Sequence, residues 1–252
     1  MIVCNSTYKH TIHFSLKKVR NDNLEQQAQA LFKSWFVDFD PFKDGNFVDS
    51  ELGMIPEGWN VATLRDIVVI EKDSINPQKN LSKTFVHYSL PAFDNGLTPE
   101  IQLGTDIKSN KFILNDYTTL FSKLNPRIKR IWFTHKVDLN SVCSTEFIPY
   151  QAKDPGKYSF VYSVISSDGF YNSIMSLVNG ATGSHQRFHL EDSLNLKLAI
   201  NVDVITELCK IVNPILDKIH YLRQENKELS FLRDSLLPKL MSGEIKINDL
   251  NC

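Results

Sequence analysis

The side chains best placed for chemistry in this chain are cations and hydrogen-bond donors on two short stretches. The first is LFSKLNPRIKR, Leu120 to Arg130, which brings Lys123, Arg127, Lys129 and Arg130 close together with Ser122 and Asn125 among them. It lies in a wider basic run in which Lys108, Lys111, Lys123, Arg127, Lys129, Arg130 and Lys136 face only Asp116. A proline-interrupted loop bearing cations suits the phosphates of a duplex, which supply sequence-independent affinity. A solvated strand edge is the alternative. The second stretch is GATGSHQR, Gly180 to Arg187. Thr182, Gly183 and Ser184 are small enough for backbone amides to approach a phosphate. Gln186 and Arg187 can donate to phosphates or to adenine and guanine edges. A plain structural turn is the alternative.

Other chemistries find no support. There is no GxGxxG or P-loop to cradle a nucleotide phosphate. Asn125-Pro126 continues with Arg127, so the Asn-Pro-Pro-aromatic pattern of an adenine methyltransferase is missing. Glu244 and Lys246 have a Glu-x-Lys spacing but no upstream strand aspartate, and read as a surface tail. His185 and His189 are four apart, yet Gly180 and Gly183 just before them argue for a loop and against a metal site. Asp38 and Asp40 read as a helix end or turn. Ser144, Thr145 and Glu146 read as structural. Cys4, Cys143, Cys209 and Cys252 have no CxxC spacing and read as reduced thiols. No nucleophile-base constellation emerges, so no catalytic and no metal-ligating residue is assigned. The chain reads as a binder.

Whole-chain properties set the frame. The 252 residues are 42 % apolar and 23 % charged with a net charge of −1, an ordinary globular balance. That net charge does not advertise a nucleic-acid partner; the local clustering is more informative. Apolar runs fall well short of the ~20 residues of a membrane span. No apolar signal segment opens the chain, so a cytoplasmic location is expected.

The elements that must carry these residues follow from periodicity. Leu24, Ala28, Leu31 and Trp35 form one stripe of a helix that starts near Ser15 or Leu16 and must end before Pro41. Residues 1–15 have no clear period and are left unplaced; residues 16–40 form the helix and an aromatic joint. Residues 41–201 alternate short strand-like segments (IVVIE, TFVHYSL, KFIL, TTLFSKL, RIWF, EFIPY) with turns, as an α+β domain that is mostly sheet. Tyr158 to Val178 reads as two short helices broken at Asp168-Gly169. Residues 202–243 carry Val204, Leu208, Ile211, Ile215, Ile219, Leu222, Asn226, Leu229 and Leu236 mostly three or four apart, a coiled-coil seam. Asn213-Pro214 suggests that a short helix hands over to a long one there. Residues 244–252 form a tail.

Several of these motifs, in this order, resemble one family. QAQALFKSWFVDFDPF followed by ELGMIPEGW resembles the central junction of the specificity subunit of type I restriction-modification enzymes. LFSKLNPRIKR, CSTEF and GATGSHQR resemble motifs of that family's target recognition domains, and LRDSLLPKLMSGEI its C-terminal conserved segment. The resemblance runs from about Leu16 to Ile247. It implies a sequence-specific, non-catalytic DNA-binding subunit that binds no cofactor itself. The partners implied are double-stranded DNA, a methyltransferase subunit using S-adenosylmethionine, and a motor-endonuclease subunit using ATP and Mg. It also implies that conserved helices flank the recognition domain and pack as an antiparallel coiled coil. Leu24, Ala28 and Leu31 would then meet Ile215, Ile219, Leu222, Asn226 and Leu229 along the seam. Trp35, Phe36 and Phe39 would plug the joint or meet the methyltransferase. Family members usually carry two recognition domains, so this chain is expected to be a half-length form, reading one half of a bipartite site and pairing with a second copy through its helices. A truncated remnant, a recombination cassette or a divergent nuclease are the other readings.

Overall fold

The computed structural model describes residues 21–178 and 187–245, which fall into two compact units: one built on Ala28–Asn213, the other on the chain to either side of it. In chain order the elements are helix α1 (21–36), β1 (Phe47–Ser50), β2 (Gly53–Pro56), β3 (Asn60–Thr63), α2 (Leu64–Ile67), β4 (Val68–Ile70), β5 (Ser74–Ile75) and β6 (Thr84–Tyr88). Then come α3 (Leu90–Asp94), β7 (Glu100–Leu103), β8 (Lys111–Ile113), β9 (Thr118–Ser122), β10 (Ile131–Thr134), β11 (Ser141–Ser144) and β12 (Phe147–Ala152). The chain continues with α4 (Tyr158–Ser166), α5 (Asp168–Leu177), α6 (Leu190–Leu194), β13 (Lys197–Ile200) and α7 (Val202–Met241). The mixed α+β architecture with a β-rich body and a long C-terminal helix is the one expected.

Two sheets make the body of the larger unit. The first is antiparallel, in the order β10-β9-β12-β4. The second runs β5-β8-β11-β6-β7, and its β11–β6 pair is parallel. Strand β9, TTLFS, is buried at every position, so it shows no in-out alternation. Helix α4 is buried along nearly its whole length and packs against β9, β10 and β12. Helix α6 is tied to the first sheet by a buried hydrogen bond between the Tyr150 and Ser193 hydroxyls, 2.7 Å apart. A core of Tyr88, Leu114, Leu120, Trp132, Cys143 and Phe147 joins the sheets.

The thiol of Cys143 belongs to this core. Burial pushes it up to about 12, with Lys111 opposing only in part. A thiolate is the reactive species, so Cys143 is expected to resist N-ethylmaleimide at pH 8 in the folded chain and to react once the chain is unfolded in urea. Peptide mapping by mass spectrometry checks this; rapid labelling of the native chain would contradict the packing.

Three helical details differ from the sequence reading. The buried stripe of α1 is Asn21, Ala28, Phe32 and Phe36, one step round from the expected one, while Leu24, Leu31 and Trp35 are half-buried. The break between α4 and α5 falls at Ser167, not at Asp168-Gly169. The Ser167 hydroxyl accepts the Phe170 N–H as a cap, which makes Asp168 and Gly169 the first turn of α5. Helix α7 runs unbroken through Pro214 and Pro238, and both rings sit on exposed faces where the missing N–H is tolerated. Its 40 residues span ~60 Å. The buried positions are Ile205, Leu208, Cys209, Val212, Leu216, Ile219 and Leu222; Ile211 is exposed and Ile215 half-buried. Within the smaller unit Arg223 forms an ion pair with Glu25. Gly243, at φ +75°, follows the end of α7. Among the described residues no helix is long and apolar enough to cross a membrane, and no cluster of His, Cys, Asp or Glu could hold a metal.

The aromatic run after α1 closes on Trp59. Its ring meets Phe36, Phe39 and Phe42 edge-on, with centroids 5.2, 5.2 and 5.3 Å away. Phe36 also packs on Phe160, and Phe39 on Phe47. Phe39 takes a left-handed backbone, φ 54°, and Asp40 and Pro41 start a short 3-10 turn. Trp35 has no ring contact among the described residues.

Candidate nucleic-acid interface

The loop between β9 and β10 carries the expected cations, and nearly every residue of it is fixed. At its base the Ser122 N–H donates to the Arg130 carbonyl at 3.1 Å. The Ser122 hydroxyl is buried and donates to the Leu124 carbonyl at 3.0 Å, so it staples the loop from inside. The Lys123 N–H donates to the Glu146 carbonyl at 2.9 Å. Asn125 takes a left-handed conformation, φ 49°, and its carbonyl accepts the Ile128 N–H at 3.0 Å, which closes the turn. The Tyr171 hydroxyl, from α5, donates to the Arg127 carbonyl at 3.1 Å.

Carboxylates from three distant segments then hold the cations. Arg130 grips Asp94 of α3 through two parallel hydrogen bonds, 2.8 and 2.9 Å. Those bonds hold the Asp94 carboxyl below its usual range. Lys129 lies 3.3 Å from Asp168 and over the Tyr171 ring. Arg187 grips Glu146 at 2.9 and 3.2 Å, and its backbone bridges Leu124 antiparallel. Among the described residues Lys123 and Arg127 have no carboxylate partner. Arg127 is exposed and Lys123 half-buried; Ile128 is exposed between Arg127 and Lys129 at the outer turn.

The expected site residues therefore divide. Lys123, Asn125, Arg127, Lys129, Arg130 and Arg187 are brought to one neighbourhood. Ser122 is buried at its root. Thr182, Gly183, Ser184 and Gln186 lie outside the described residues. Lys111, counted above in the basic run, is buried on β8, with its ammonium donating to the Ser109 hydroxyl at 2.6 Å. Sequence reasoning missed Asp94, Asp168 and Tyr171. Each sits some forty positions away from its partner, as Arg130 and Asp94 do with a separation of 36, and no local pattern marks them. Glu146, read as structural, is indeed the anchor of Arg187.

The fold, a two-sheet body continued by a long helix, is similar to a solved one. The HsdS subunit from Thermoanaerobacter tengcongensis superposes with a TM-score of 0.54 over 78 % of this chain and 51 % of that one, at 18 % identity. The curated relatives carry the comparison further. The type I restriction enzyme MjaIX specificity subunit of Methanocaldococcus jannaschii is 28 % identical over 257 residues, covering 93 % of this chain and 56 % of the relative. The HindI specificity subunit of Haemophilus influenzae is 24 % identical over 290 residues, covering 89 % and 62 %. No family model matches the chain. The chain spans little more than half the length of these relatives. The resemblance seen in its motifs holds: its relatives are type I restriction enzyme specificity subunits.

Proposed function

We propose that this chain is a non-catalytic, sequence-specific DNA-recognition subunit of a type I restriction-modification system. It reads one half of a bipartite site and docks a methyltransferase subunit, with S-adenosylmethionine, ATP and Mg used by the partner subunits. The braced β9–β10 loop carries this reading. Acidic partners fix its course, while Lys123 and Arg127 keep uncompensated charge for phosphates. Contacts of that kind set register on the duplex without reading sequence. The experiment is a methylome: the chain expressed with its methyltransferase subunit, methylated adenines being mapped by single-molecule sequencing. A bipartite motif is expected, and no new methylation from soluble, active components would sink the reading.

A half-site of three or four base pairs offers little discrimination at roughly 1–3 kcal/mol per pair. Two copies are therefore taken to pair through α7, giving an inverted-repeat target. Beyond Leu222 the helix keeps an apolar character with little cover: Phe231 is 74 % exposed and Met241 80 %, and Leu232 is exposed as well. The Asn226 side-chain carbonyl is buried without a partner among the described residues. A buried amide of this sort can set register in paired helices. Phe231→Ser combined with Leu232→Ser is expected to shift the chain from dimer to monomer at micromolar concentration. Sedimentation velocity reads this directly, and a parent chain that is already monomeric would remove the pairing hypothesis.

A further inference from the structure

A shallow, open depression of about 500 Å³ lies on the face formed by Pro41, Phe42, Gly45, Asn46, Pro56, Glu57, Gly58 and Trp59. Its floor is apolar: Trp59 and Pro56 are buried, and Phe42 is half-buried. Its rim is exposed and polar. Asn46 donates to one Glu57 oxygen at 2.9 Å, which leaves the other oxygen for an incoming donor.

The charge around it is the reverse of that on the β9–β10 loop. Asp38, Asp40, Asp44, Asp49, Glu51 and Glu57 face Lys43 alone between residues 38 and 57. Lys43 is committed to Asp40, Asp38 to Lys33 and Glu51 to Lys197. Asp44, Asp49 and Glu57 keep no counter-ion among the described residues. The hairpin β1–β2 beside this rim exposes Val48, Leu52 and Met54. An acidic face repels the DNA backbone, so this surface suits a protein. The matching side chain has an apolar stem for the floor and a cationic head for Glu57, which describes arginine. The volume suits a short extended segment better than a single side chain.

We propose that this depression is a docking socket for an arginine-bearing segment of a partner protein. The proposal deepens the reading of the chain as one subunit of an assembly, with Glu57 receiving the guanidinium and Asp44 and Asp49 attracting the segment. It does not depend on DNA binding.

The test uses the full chain with the indole nitrogens labelled, so that Trp35, Trp59 and Trp132 report separately by NMR. The probe is an N-acetylated, C-amidated tetra-arginine peptide, with a Gly-Ser peptide of equal length as control. The Trp59 resonance is expected to move with saturation, the other two staying still, and Glu57→Lys is expected to weaken binding at least tenfold. An unmoved Trp59, a uniform response of all three indoles, or unchanged binding by Glu57→Lys would overturn the proposal. A second arm asks whether Glu57→Lys lowers co-purification with the methyltransferase subunit at least tenfold while retention on duplex DNA is unchanged. Peptide binding without that loss would also overturn it, since the socket would then not serve the partner. Lost methylation in the parent chain, with Trp59 still responding, would indict the functional reading instead.

Discussion

Replacing Lys123 and Arg127 together by alanine is expected to weaken duplex binding by roughly 30-fold near physiological salt, and to flatten its salt dependence by about two units of slope. The slope follows from counterion release: each phosphate neutralised contributes about 0.9 to the dependence of log K on log salt, so two lost contacts remove about 1.8. These two cations are chosen because the acidic residues around the loop leave them alone. Alanine at Arg130 tests something different. It leaves Asp94 without its bidentate partner and disturbs the loop backbone, so an affinity loss there does not isolate a phosphate contact. Lys227→Ala, on α7, is the charge control. Titrations at several salt concentrations decide the matter: if the double variant keeps both affinity and slope, the loop is a solvated strand edge and the DNA contact must be sought elsewhere.

The second large effect is on stability. Trp59→Ala is expected to cost ~3–5 kcal/mol, the range for deleting a buried large aromatic. For a unit of this size that is a fall in Tm of roughly 10 °C. Three phenylalanine edges converge on the ring from the end of α1 and from the turn after it. No smaller residue fills that space. Trp35→Ala makes the comparison informative. Trp35 is the more conspicuous residue in the sequence, yet it is half-buried and outside the cluster. Its loss is expected to cost less than ~1.5 kcal/mol, in line with substitutions away from packed cores. Thermal denaturation of both variants separates the two positions. Equal losses would mean that the aromatic joint is centred elsewhere.

The contrast between those tryptophans shows what periodicity conveys and what it withholds. Helix α1 carries apolar residues at both 31/35 and 32/36, two adjacent stripes. The sequence offers both, and only the presence of Phe160 and Trp59 on the other side decides that 32 and 36 go inward. Strands β6, β8, β9, β10 and β12 were legible because β-branched and aromatic residues dominate them. The SVCS of β11 and the KLAI of β13 were not, since their strand character comes from pairing with β6, β8 and β3 and not from composition. At Pro214 proline signalled a boundary that α7 ignores, because the ring lies on an exposed face of a helix that buries Ile205, Leu208, Cys209, Val212, Leu216, Ile219 and Leu222. At the candidate site the cations were legible and their counter-ions were not. Local spacing cannot report that Arg130 and Asp94 meet.

Those counter-ions bear on how such a protein would search a genome. A recognition subunit spends most of its time on the wrong sequence, and each uncompensated cation lengthens every wrong stop. Asp94, Asp168 and Glu146 pre-empt three cations of the loop neighbourhood, and the chain as a whole carries a net charge of −1. Residence on random duplex would accordingly be brief, with a large share of the stay at a true site owed to contacts that only the correct bases provide.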